Sequence, residues 1–400
     1  MSQTVNIEQH QCTVLLVCQF GQPVRGLSPY CDALFKALSK NKNISFTPVD
    51  YRAPYPNILH PAANSNASSS GELHWCKPLS WIKVAKTSAN IIHLQHWLAP
   101  MAVYLLPLIS IAQFFGKQVV ITVHNPNPHE LIPGTRVLEK WLTNKADAVL
   151  VHDKRGANLL HKRFATSKDK LHVIPHGIHV LEFPLKPKID DYQLLGLKPN
   201  RRYICIFGNL RGYKGLDVLL AAWQLVYKKL PDVDLVIAGR LWSGKTSIMS
   251  RFSAKILGTA KDTKRLQVLL DKTTQNCRVH VFEGFQSDNK IDALITLSEL
   301  AVFPYIKFDS QSGAACRTAG IGCPVLVSDI GGLPELAIDN NWIVSPNNVG
   351  DLASTLYKHL SQPQKALSNR KKQLEQIKNF SWHKIAIAHA ELYKYLKNMR

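Results

Sequence analysis

A glycine-rich segment in the middle of the chain, Phe207–Gly215 (FGNLRGYKG), combines two cations with an adaptable backbone. It lies between a run typical of a β-strand and a run with helical periodicity. Glycines let a backbone approach a ligand closely, and the amino end of a helix favours anions. Because Arg211 and Lys214 add two positive charges there, the spacing predicts a phosphate site. A plain loop with two solvated charges is the alternative.

Two later segments have a similar character. A strand-like run ends at Pro304, and the turn that includes Asp309, Ser312 and Gly313 opens a predicted helix. Backbone N–H groups at Ser312 and Gly313 are placed to hold an anion at that helix end. A second turn, Gly331–Gly332, follows the next strand-like run and is expected to bring backbone close on the other side.

A competing phosphate motif is Gly239–Thr246 (GRLWSGKT), which matches G-x-x-x-x-G-K-[ST] and follows a strand-like run. Such a loop cradles phosphates with backbone N–H groups while its lysine, here Lys245, neutralises charge. No clear apolar run ending in aspartate is placed to hold Mg²⁺, and Asp329 is the best candidate. A P-loop nucleotide hydrolase therefore stays open as an alternative, and a chance match is the other interpretation.

Composition excludes several classes of protein. The 400 residues are 46% hydrophobic and 19% charged, which fits a globular chain long enough for more than one domain. Eight scattered cysteines without a C-x-x-C pair indicate reduced, mostly buried thiols and a cytoplasmic protein. The net charge of +21 favours phosphate-rich ligands, anionic lipid or nucleic acid. No recognisable nucleic-acid module supports the last of these.

Apolar runs give no sign of export or of a membrane span. The first eleven residues are polar. The longest apolar run, Met101–Phe115, is too short to cross a bilayer and contains Pro107, so a buried helix is predicted.

The elements that would position these motifs form two βαβ series. Each predicted strand is short and nearly all apolar, as expected for parallel strands covered on both faces. The first-series strands are Val14–Cys18, Ile44–Val49, Ile91–Leu94, Val119–Val123, Ala148–His152 and His172–Ile174. The second-series strands are Tyr203–Phe207, Asp234–Ala238, Val279–Phe282, Leu300–Pro304 and Val325–Val327.

Between the two series, the stretch after His179 is rich in Pro and Lys and is predicted to be a linker, with Asp190 and Asp191 in it. Asn57–Gly71 is predicted to be a polar loop, and Trp242–Asn276 a long, basic, partly helical segment. Two α/β halves joined by a linker suggest a cleft, with ligands at the carboxyl ends of the strands.

In this order the motifs resemble the retaining glycosyltransferases of the GT-B family 4 (group 1) type. The segments that carry the resemblance, from Val14 to Leu396, are Gln19–Tyr30, His93–Trp97, Thr122–Glu130, Ile174–Ile178, Gly208–Gly215, Ser312–Gly313 and Ser328–Glu335. The resemblance implies a hexosyltransferase with two Rossmann-like domains facing a cleft. The implied domains are residues 1–180 for the acceptor, 181–378 for the nucleotide-sugar donor, and a helix in 379–400 that crosses back.

The resemblance also implies roles for single residues. Arg211 and Lys214 would neutralise the donor diphosphate, with Gly208, Ser312 and Gly313 adding close backbone. His124 would contact the donor sugar, as would Asp309, and both are the catalytic candidates. The remaining implied positions are His176 for the donor, and His96 and the Gly26 loop for the acceptor or cleft. Neither a cofactor nor a metal is expected.

One position departs from the family pattern. Such enzymes often carry two acidic residues eight positions apart, the second on the ribose hydroxyls, and Arg317 stands at the second position. An arginine cannot accept hydrogen bonds from ribose. A phosphate or acidic-sugar contact and a plain helix-surface role are both open for it.

The basic excess bears on the acceptor. The acceptor is expected to be a saccharide, or a saccharide linked to a lipid, for polysaccharide or glycolipid synthesis. The charge then suggests a cytoplasmic protein at the anionic inner face of the cell membrane.

Overall fold

The structure is a computed structural model that describes residues 12–21, 27–53, 72–126, 135–240, 268–271, 273 and 277–399. The chain divides into two compact units. The first comprises residues 1–151, 157–175 and 382–400, and the second comprises residues 152–156 and 176–381. Each unit is built on its own parallel sheet.

The sheet of the first unit has seven strands in the order β3-β2-β1-β4-β5-β6-β7. The strands are β1 Cys12–Cys18, β2 Ile44–Ala53, β3 Leu73–His74, β4 Ile91–His96, β5 Gln118–Val123, β6 Ala148–Val151 and β7 Leu171–Val173. All pairings are parallel. The central strands are buried on both faces, which accounts for their unbroken apolar runs.

Helices cover both faces of this sheet. They are α1 Ser28–Leu38, α2 Pro78–Ala85, α3 Ala102–Phe114, α4 Thr135–Lys145, α5 Lys154–Phe164 and the last helix of the chain, Trp382–Asn398. Helices α2 to α5 share one core, and α1 shares the other with the last helix. Within the described residues, no helix is both long and apolar enough to cross a bilayer.

The sheet of the second unit has six parallel strands in the order β10-β9-β8-β11-β12-β13. They are β8 Arg202–Phe207, β9 Val233–Gly239, β10 Val279–Glu283, β11 Ser298–Phe303, β12 Val325–Ser328 and β13 Ile343–Val344. The helices are α6 Ile189–Leu195, α7 Leu216–Val226, α8 Asp288–Leu297, α9 Gly313–Gly320, α10 Val349–Leu360 and α11 Ala366–Gln376. The last helix, Trp382–Asn398, is α12.

Every predicted strand is confirmed to within a few residues. The prediction of mostly buried, unpaired thiols is also confirmed, since all the cysteines are free and each except Cys76 is buried. The two-residue strands β3 and β13 were not predicted, because two residues carry no alternation. The predicted linker is wrong at its end: Asp190 and Asp191 lie in the first turn of α6, where carboxylates suit the helix dipole. The segments 57–71 and 242–276 lie wholly or largely outside the described residues.

The expectation of a buried helix at Met101–Phe115 is only partly correct. A single 3₁₀ turn, Ala99–Met101, leads into α3, and six residues of α3 are buried. Val103 and Phe114 are nevertheless 61% and 82% exposed. The helix contains no charged residue, and its exposed side carries Val103, Ser110 and Phe114.

Candidate functional site

Three loops of the second unit follow the carboxyl ends of three neighbouring strands. Strand β8 leads into Gly208–Gly215, β11 into 304–313, and β12 into 329–335, and the sheet order places β8, β11 and β12 side by side. The carboxyl edge of a parallel sheet is where α/β proteins bind ligands. The three motifs singled out in the sequence therefore meet at one edge.

Close backbone contacts hold the first two loops together. Gly215 has φ +66°, and a Cβ there would lie 2.0 Å from the carbonyl oxygen of Pro304. The Ile306 N–H donates to the Tyr213 carbonyl at 2.7 Å. Only glycine allows this approach at position 215. The chain conformation around Arg211 and Lys214 is thus fixed against the loop after β11.

Lys214 is a buried cation in this setting. Its side chain is 9% exposed, and its Nζ lies 5.4 Å from the centre of the Tyr305 ring. Burial lowers the pKa of Lys214, and the nearby Arg211 charge lowers it further, while Tyr213 acts in the opposite direction. In the part of the chain that the structure describes, no carboxylate forms an ion pair with it. An enclosed ammonium without a counter-ion is a place for an anionic ligand.

Tyr305 connects Lys214 to the Ser312 turn. Its hydroxyl lies 3.0 Å from Ser312 Oγ, and that Oγ caps helix α9 by accepting from the Ala315 N–H at 3.4 Å. Tyr305 is buried with Tyr213 and Phe308 in an aromatic cluster. Lys214 and the Ser312 turn therefore share one aromatic wall. Sequence reasoning missed Tyr305, although it follows the predicted strand directly.

The turn after β12 closes on the same loop. Gly331 has φ +53°, and a Cβ at Gly332 would lie 2.5 Å from Gln311 Cγ. The Gly332 N–H donates to the Ser310 carbonyl at 3.0 Å. The predicted approach of Gly331–Gly332 to the Ser312 turn is confirmed.

Gln311 links this turn to two further positions. Its Oε1 accepts from the backbone N–H of His176 at 2.7 Å, and its Nε2 donates to Glu335 Oε2 at 3.1 Å. His176 is half-buried, its Nδ1 lies 2.8 Å from the Gly177 carbonyl, and burial lowers its pKa to about 4. The predicted site residue His176 thus belongs to the second unit, beside the predicted donor loop.

Carboxyl groups gather beside Gln311. Asp153 is 1% exposed, and burial is the largest cause that raises its pKa; the neighbouring Asp309 charge also contributes. Burial raises the pKa of Glu335 to about 7, with a further contribution from Asp153. Asp309 itself is half-buried. Among the described residues, no group of three His, Cys, Asp or Glu is arranged to hold a metal ion.

The raised pKa of Glu335 predicts a pH-dependent stability. Between pH 4.5, the ordinary pKa of a glutamate, and about 7, the folded state keeps a proton that the unfolded state has lost. The contribution of Glu335 to the free energy of unfolding should therefore fall by about 2 kcal/mol as pH rises through this window, after allowance for partial exposure. Buried histidines such as His96 and His176, whose pKa values are lowered to about 4, contribute in the opposite direction, so the test compares variants with the native protein. Glu335→Gln keeps an acceptor for Gln311 and should gain stability relative to the native protein as pH rises, whereas the exposed Glu283→Gln should follow the native slope. Urea denaturation across the window is the measurement, and an unchanged slope in Glu335→Gln would contradict the assignment.

Arg317 is held by two carboxylates. Its guanidinium pairs with Asp288 at 2.6 Å and with Asp292 at 2.7 Å, both on helix α8. These contacts favour the helix-surface alternative over a phosphate or sugar contact. We therefore leave Arg317 out of the donor site proposed below.

The predicted residues of the first unit lie at the ends of β4 and β5. His124 is 8% exposed; its Nε2 lies 2.8 Å from Gln95 Oε1, and its ring meets Tyr30 edge-on. The side-chain amide nitrogen of Gln95, Nε2, lies 3.3 Å from His93 Nε2. His93 Nδ1 lies 2.7 Å from the Tyr393 hydroxyl on α12. His124 thus belongs to a buried polar chain that includes Gln95, His93 and Tyr393.

This buried chain predicts a specific cost for losing one hydroxyl. Burial lowers the pKa of His93, so the ring is neutral and needs a partner at each nitrogen. Tyr393→Phe leaves Nδ1 without one and should lower the free energy of unfolding by about 1–3 kcal/mol. Tyr395→Phe, on the same helix but 52% exposed, should change it by less than about 0.5 kcal/mol. Chemical denaturation measures both, and equal effects would contradict the role given to the His93 contact.

His96 is more deeply buried than His124, the other described candidate of the first unit. The side chain is 1% exposed, and Nε2 lies 3.3 Å from Glu139 Oε1 of α4, which is also buried. Burial lowers the pKa of His96 to about 4 and raises that of Glu139 to about 8, so both side chains are neutral at pH 7. The ring is enclosed in the core, and the acceptor or cleft contact expected of His96 stays a prediction. Gly26 lies outside the described residues.

The rival P-loop segment starts at the end of β9. A Cβ on Gly239 would lie 1.9 Å from the Gly208 carbonyl oxygen, and the Leu210 N–H donates to the Arg240 carbonyl at 2.9 Å. Gly239 thus packs against the predicted donor loop. Residues 241–246, with Lys245, lie outside the described residues.

Two Rossmann-like units, with glycine-rich turns around an enclosed cation in the second, define the GT-B class of sugar-transferring enzymes. Comparison with known families agrees for both units. The profile described as "Glycosyl transferases group 1" matches residues 189–379, and "Glycosyltransferase Family 4" matches residues 25–180. The chain belongs to this family 4, group 1 type of glycosyltransferases.

Characterised relatives have different named activities. Glycogen synthase of Mycobacterium tuberculosis is 24% identical over 320 residues, covering 76% of this chain and 68% of its own. The alpha-maltose-1-phosphate synthase of Mycolicibacterium smegmatis is 23% identical over 371 residues, covering 84% of this chain and 87% of its own. Neither the relatives nor the profiles support the P-loop alternative.

Solved structures share the fold. The sucrose-phosphate synthase of Thermosynechococcus elongatus superposes with a TM-score of 0.70 at 18% identity, covering 97% of this chain and 100% of its own. Anabaena HepE in complex with UDP and glucose gives a TM-score of 0.66 at 17% identity, covering 96% and 100%.

Proposed function

We propose that this glycosyltransferase moves a hexose from a nucleoside diphosphate sugar to a saccharide or lipid-linked saccharide. In the reaction, the bond between the anomeric carbon and the diphosphate oxygen breaks and a bond to an acceptor hydroxyl oxygen forms. The hydroxyl proton is released, in net, with the nucleoside diphosphate. Charge therefore builds up on the leaving diphosphate, and fixed cations there lower the barrier.

The observation that carries the proposal is the enclosed Lys214 ammonium. It has no carboxylate partner among the described residues, and it faces the wall shared with the Ser312 turn. A diphosphate supplies the missing negative charge. Arg211, in the same loop, provides the second cation, and the backbone at Gly208, Ser312 and Gly313 provides close approach. Because the leaving charge is met by these cations, we propose transfer without a resident metal or cofactor.

Three side chains are proposed to contact the transferred sugar or to take part in its transfer. We propose Asp309, in the loop after β11, and His124, at the end of the Gln95 chain, as the two catalytic residues, and His176 as a donor contact. The structural neighbours include Anabaena HepE in complex with UDP-glucose, which supports UDP-glucose as the first donor to test. Retention of the anomeric configuration is proposed from family membership.

A panel of UDP- and GDP-hexoses, read out by melting temperature and by nucleotide release, tests the proposal. We expect one donor to raise the melting temperature, and Arg211→Ala to remove most of that shift. Asp309→Asn and His124→Ala should lose turnover while keeping donor binding. Lys245→Ala should leave donor binding intact, and its loss in that variant would favour the P-loop reading.

The pH dependence of donor affinity follows from Lys214. Burial lowers the pKa of this ammonium below its ordinary value of 10.5. Donor affinity should therefore fall as pH rises through that lowered pKa. The fall should begin at a lower pH than it would for an exposed lysine. Calorimetric titration with UDP over the alkaline range measures it. An affinity that stays constant until the ordinary lysine range would contradict the role of Lys214.

The acceptor and location are also proposed. An acceptor linked to a lipid would explain the net charge of +21 by attraction to the anionic inner face of the cell membrane.

A further inference from the structure

The outward side of helix α3 lacks the polar residues that a surface helix usually has. Val103 and Phe114 are strongly exposed, and the third exposed position of the helix, Ser110, is small and uncharged. Helices that are apolar on every side are normally enclosed. An exposed apolar surface of this kind marks an interaction site.

The apolar surface continues on the helices at each side. Leu79 of α2 is 81% exposed, and Val137 and Trp141 of α4 are 49% and 59% exposed. Helices α2, α3 and α4 cover the same face of the first sheet and pack in one layer. We call their outer surface the α2–α4 face; its apolar members are Leu79, Val103, Phe114, Val137 and Trp141.

Among the described residues, exposed basic side chains outnumber acidic ones around these apolar side chains. The acidic neighbour is Glu72, which precedes α2 and lies 4.0 Å from Lys83 Nζ. Exposed basic residues on or beside the three helices are Lys77, Lys83, Lys86, Arg136, Lys140 and Lys145. The three helices contain a single acidic residue, Glu139, which is 2% exposed. Lys86 lies over the Phe115 ring at 5.4 Å, so cation and aromatic ring are in direct contact.

We propose that the α2–α4 face docks on an anionic lipid bilayer. Tryptophan and phenylalanine side chains insert at the level of the headgroups, and lysines beside them attract anionic lipid. A second copy of this chain is a poorer partner, because the same cations would face each other across a two-fold interface. The choice of partner rests on the proposed function, and within it on the lipid-linked form of the acceptor.

Co-sedimentation with vesicles tests the proposal. The full chain should bind vesicles of phosphatidylcholine with phosphatidylglycerol, and should not bind phosphatidylcholine alone. Lys83→Ser with Lys86→Ser should weaken binding by about 30-fold, since each lysine near an anionic surface contributes about 1 kcal/mol. Phe114→Ser with Trp141→Ser should weaken it by at least about tenfold.

Matched controls lie in the second unit. Phe285→Ser with Leu225→Ser removes side chains that are 82% and 59% exposed, the same fractions as Phe114 and Trp141. Lys371→Ser with Lys372→Ser removes two exposed lysines. Both controls should bind vesicles within about twofold of the native chain. Equal loss in the controls would mean that net charge or overall apolar surface, rather than this face, is responsible, and would overturn the proposal.

Two further outcomes would overturn it: equal binding to phosphatidylcholine alone, or a dimer in solution that Trp141→Ser dissociates. The donor-induced melting shift, measured on the same proteins, separates this proposal from the proposed function. If the native chain does not bind vesicles but a donor raises its melting temperature, only the docking proposal is wrong. If it binds vesicles but no donor raises its melting temperature, only the proposed function is wrong.

Discussion

Replacing Lys214 with methionine should abolish donor binding and, at the same time, stabilise the protein without ligand. Methionine keeps much of the length and apolar volume of the side chain but removes the charge. The ammonium is 9% exposed and has no carboxylate partner among the described residues, so its burial costs free energy in the empty protein. We expect a gain of about 1 kcal/mol in the free energy of unfolding, and a loss of donor affinity of about 100-fold or more.

The two opposite signs make this variant diagnostic. A lysine retained only for packing would destabilise the protein when replaced and would leave donor affinity unchanged. Lys229→Met is the matched control, because Lys229 also lies over a tyrosine ring, that of Tyr357 at 5.6 Å, but is exposed. Melting temperatures with and without UDP-glucose measure both effects. An undiminished donor shift in Lys214→Met would contradict the account.

Gly215→Ala should be among the most damaging single substitutions in the second unit. The residue has φ +66°, and a Cβ would lie 2.0 Å from the backbone oxygen of Pro304, which cannot rotate away. Moving that backbone would separate the loop after β8 from the loop after β11. We expect a loss of at least about 3 kcal/mol in the free energy of unfolding, together with loss of donor binding.

Gly212→Ala, in the same loop, provides the control. Its φ is not in the left-handed region, and a Cβ there meets no atom within 4 Å. This variant should stay within about 1 kcal/mol of the native protein and retain the donor-induced melting shift. Urea denaturation of both variants is the measurement. If Gly212→Ala proves as damaging as Gly215→Ala, the close contact between residue 215 and Pro304 is not the reason that position 215 requires glycine.

The strands and motif loops were predictable because each depends on local sequence. Parallel strands buried on both faces are short apolar runs, and cations between glycines at the end of such a run are visible without a structure. The convergence of Gly208–Gly215, the Ser312 turn and Gly331–Gly332 required the order of β8, β11 and β12 in the sheet. Strand order is a non-local property, and only the resemblance to a known family implied that these motifs share one donor site.

Side-chain partners were less accessible. Arg317 was open between a ligand contact and the helix surface, and only the position of α8 brings Asp288 and Asp292 to it. The contact between His96 and Glu139 joins β4 to α4, and residues so distant in sequence give no local pattern that would predict it. The exposure of α3 was missed because an apolar run predicts burial and says nothing of a partner outside the chain.

The most direct measurement is a crystal structure of the protein with UDP, the leaving group of the proposed donor. The account predicts diphosphate oxygens within hydrogen-bond distance of Lys214 Nζ and of the Arg211 guanidinium, beside the Ser312 turn. A nucleotide whose phosphates instead lie on the Gly239–Thr246 segment, away from Lys214 and Arg211, would contradict it.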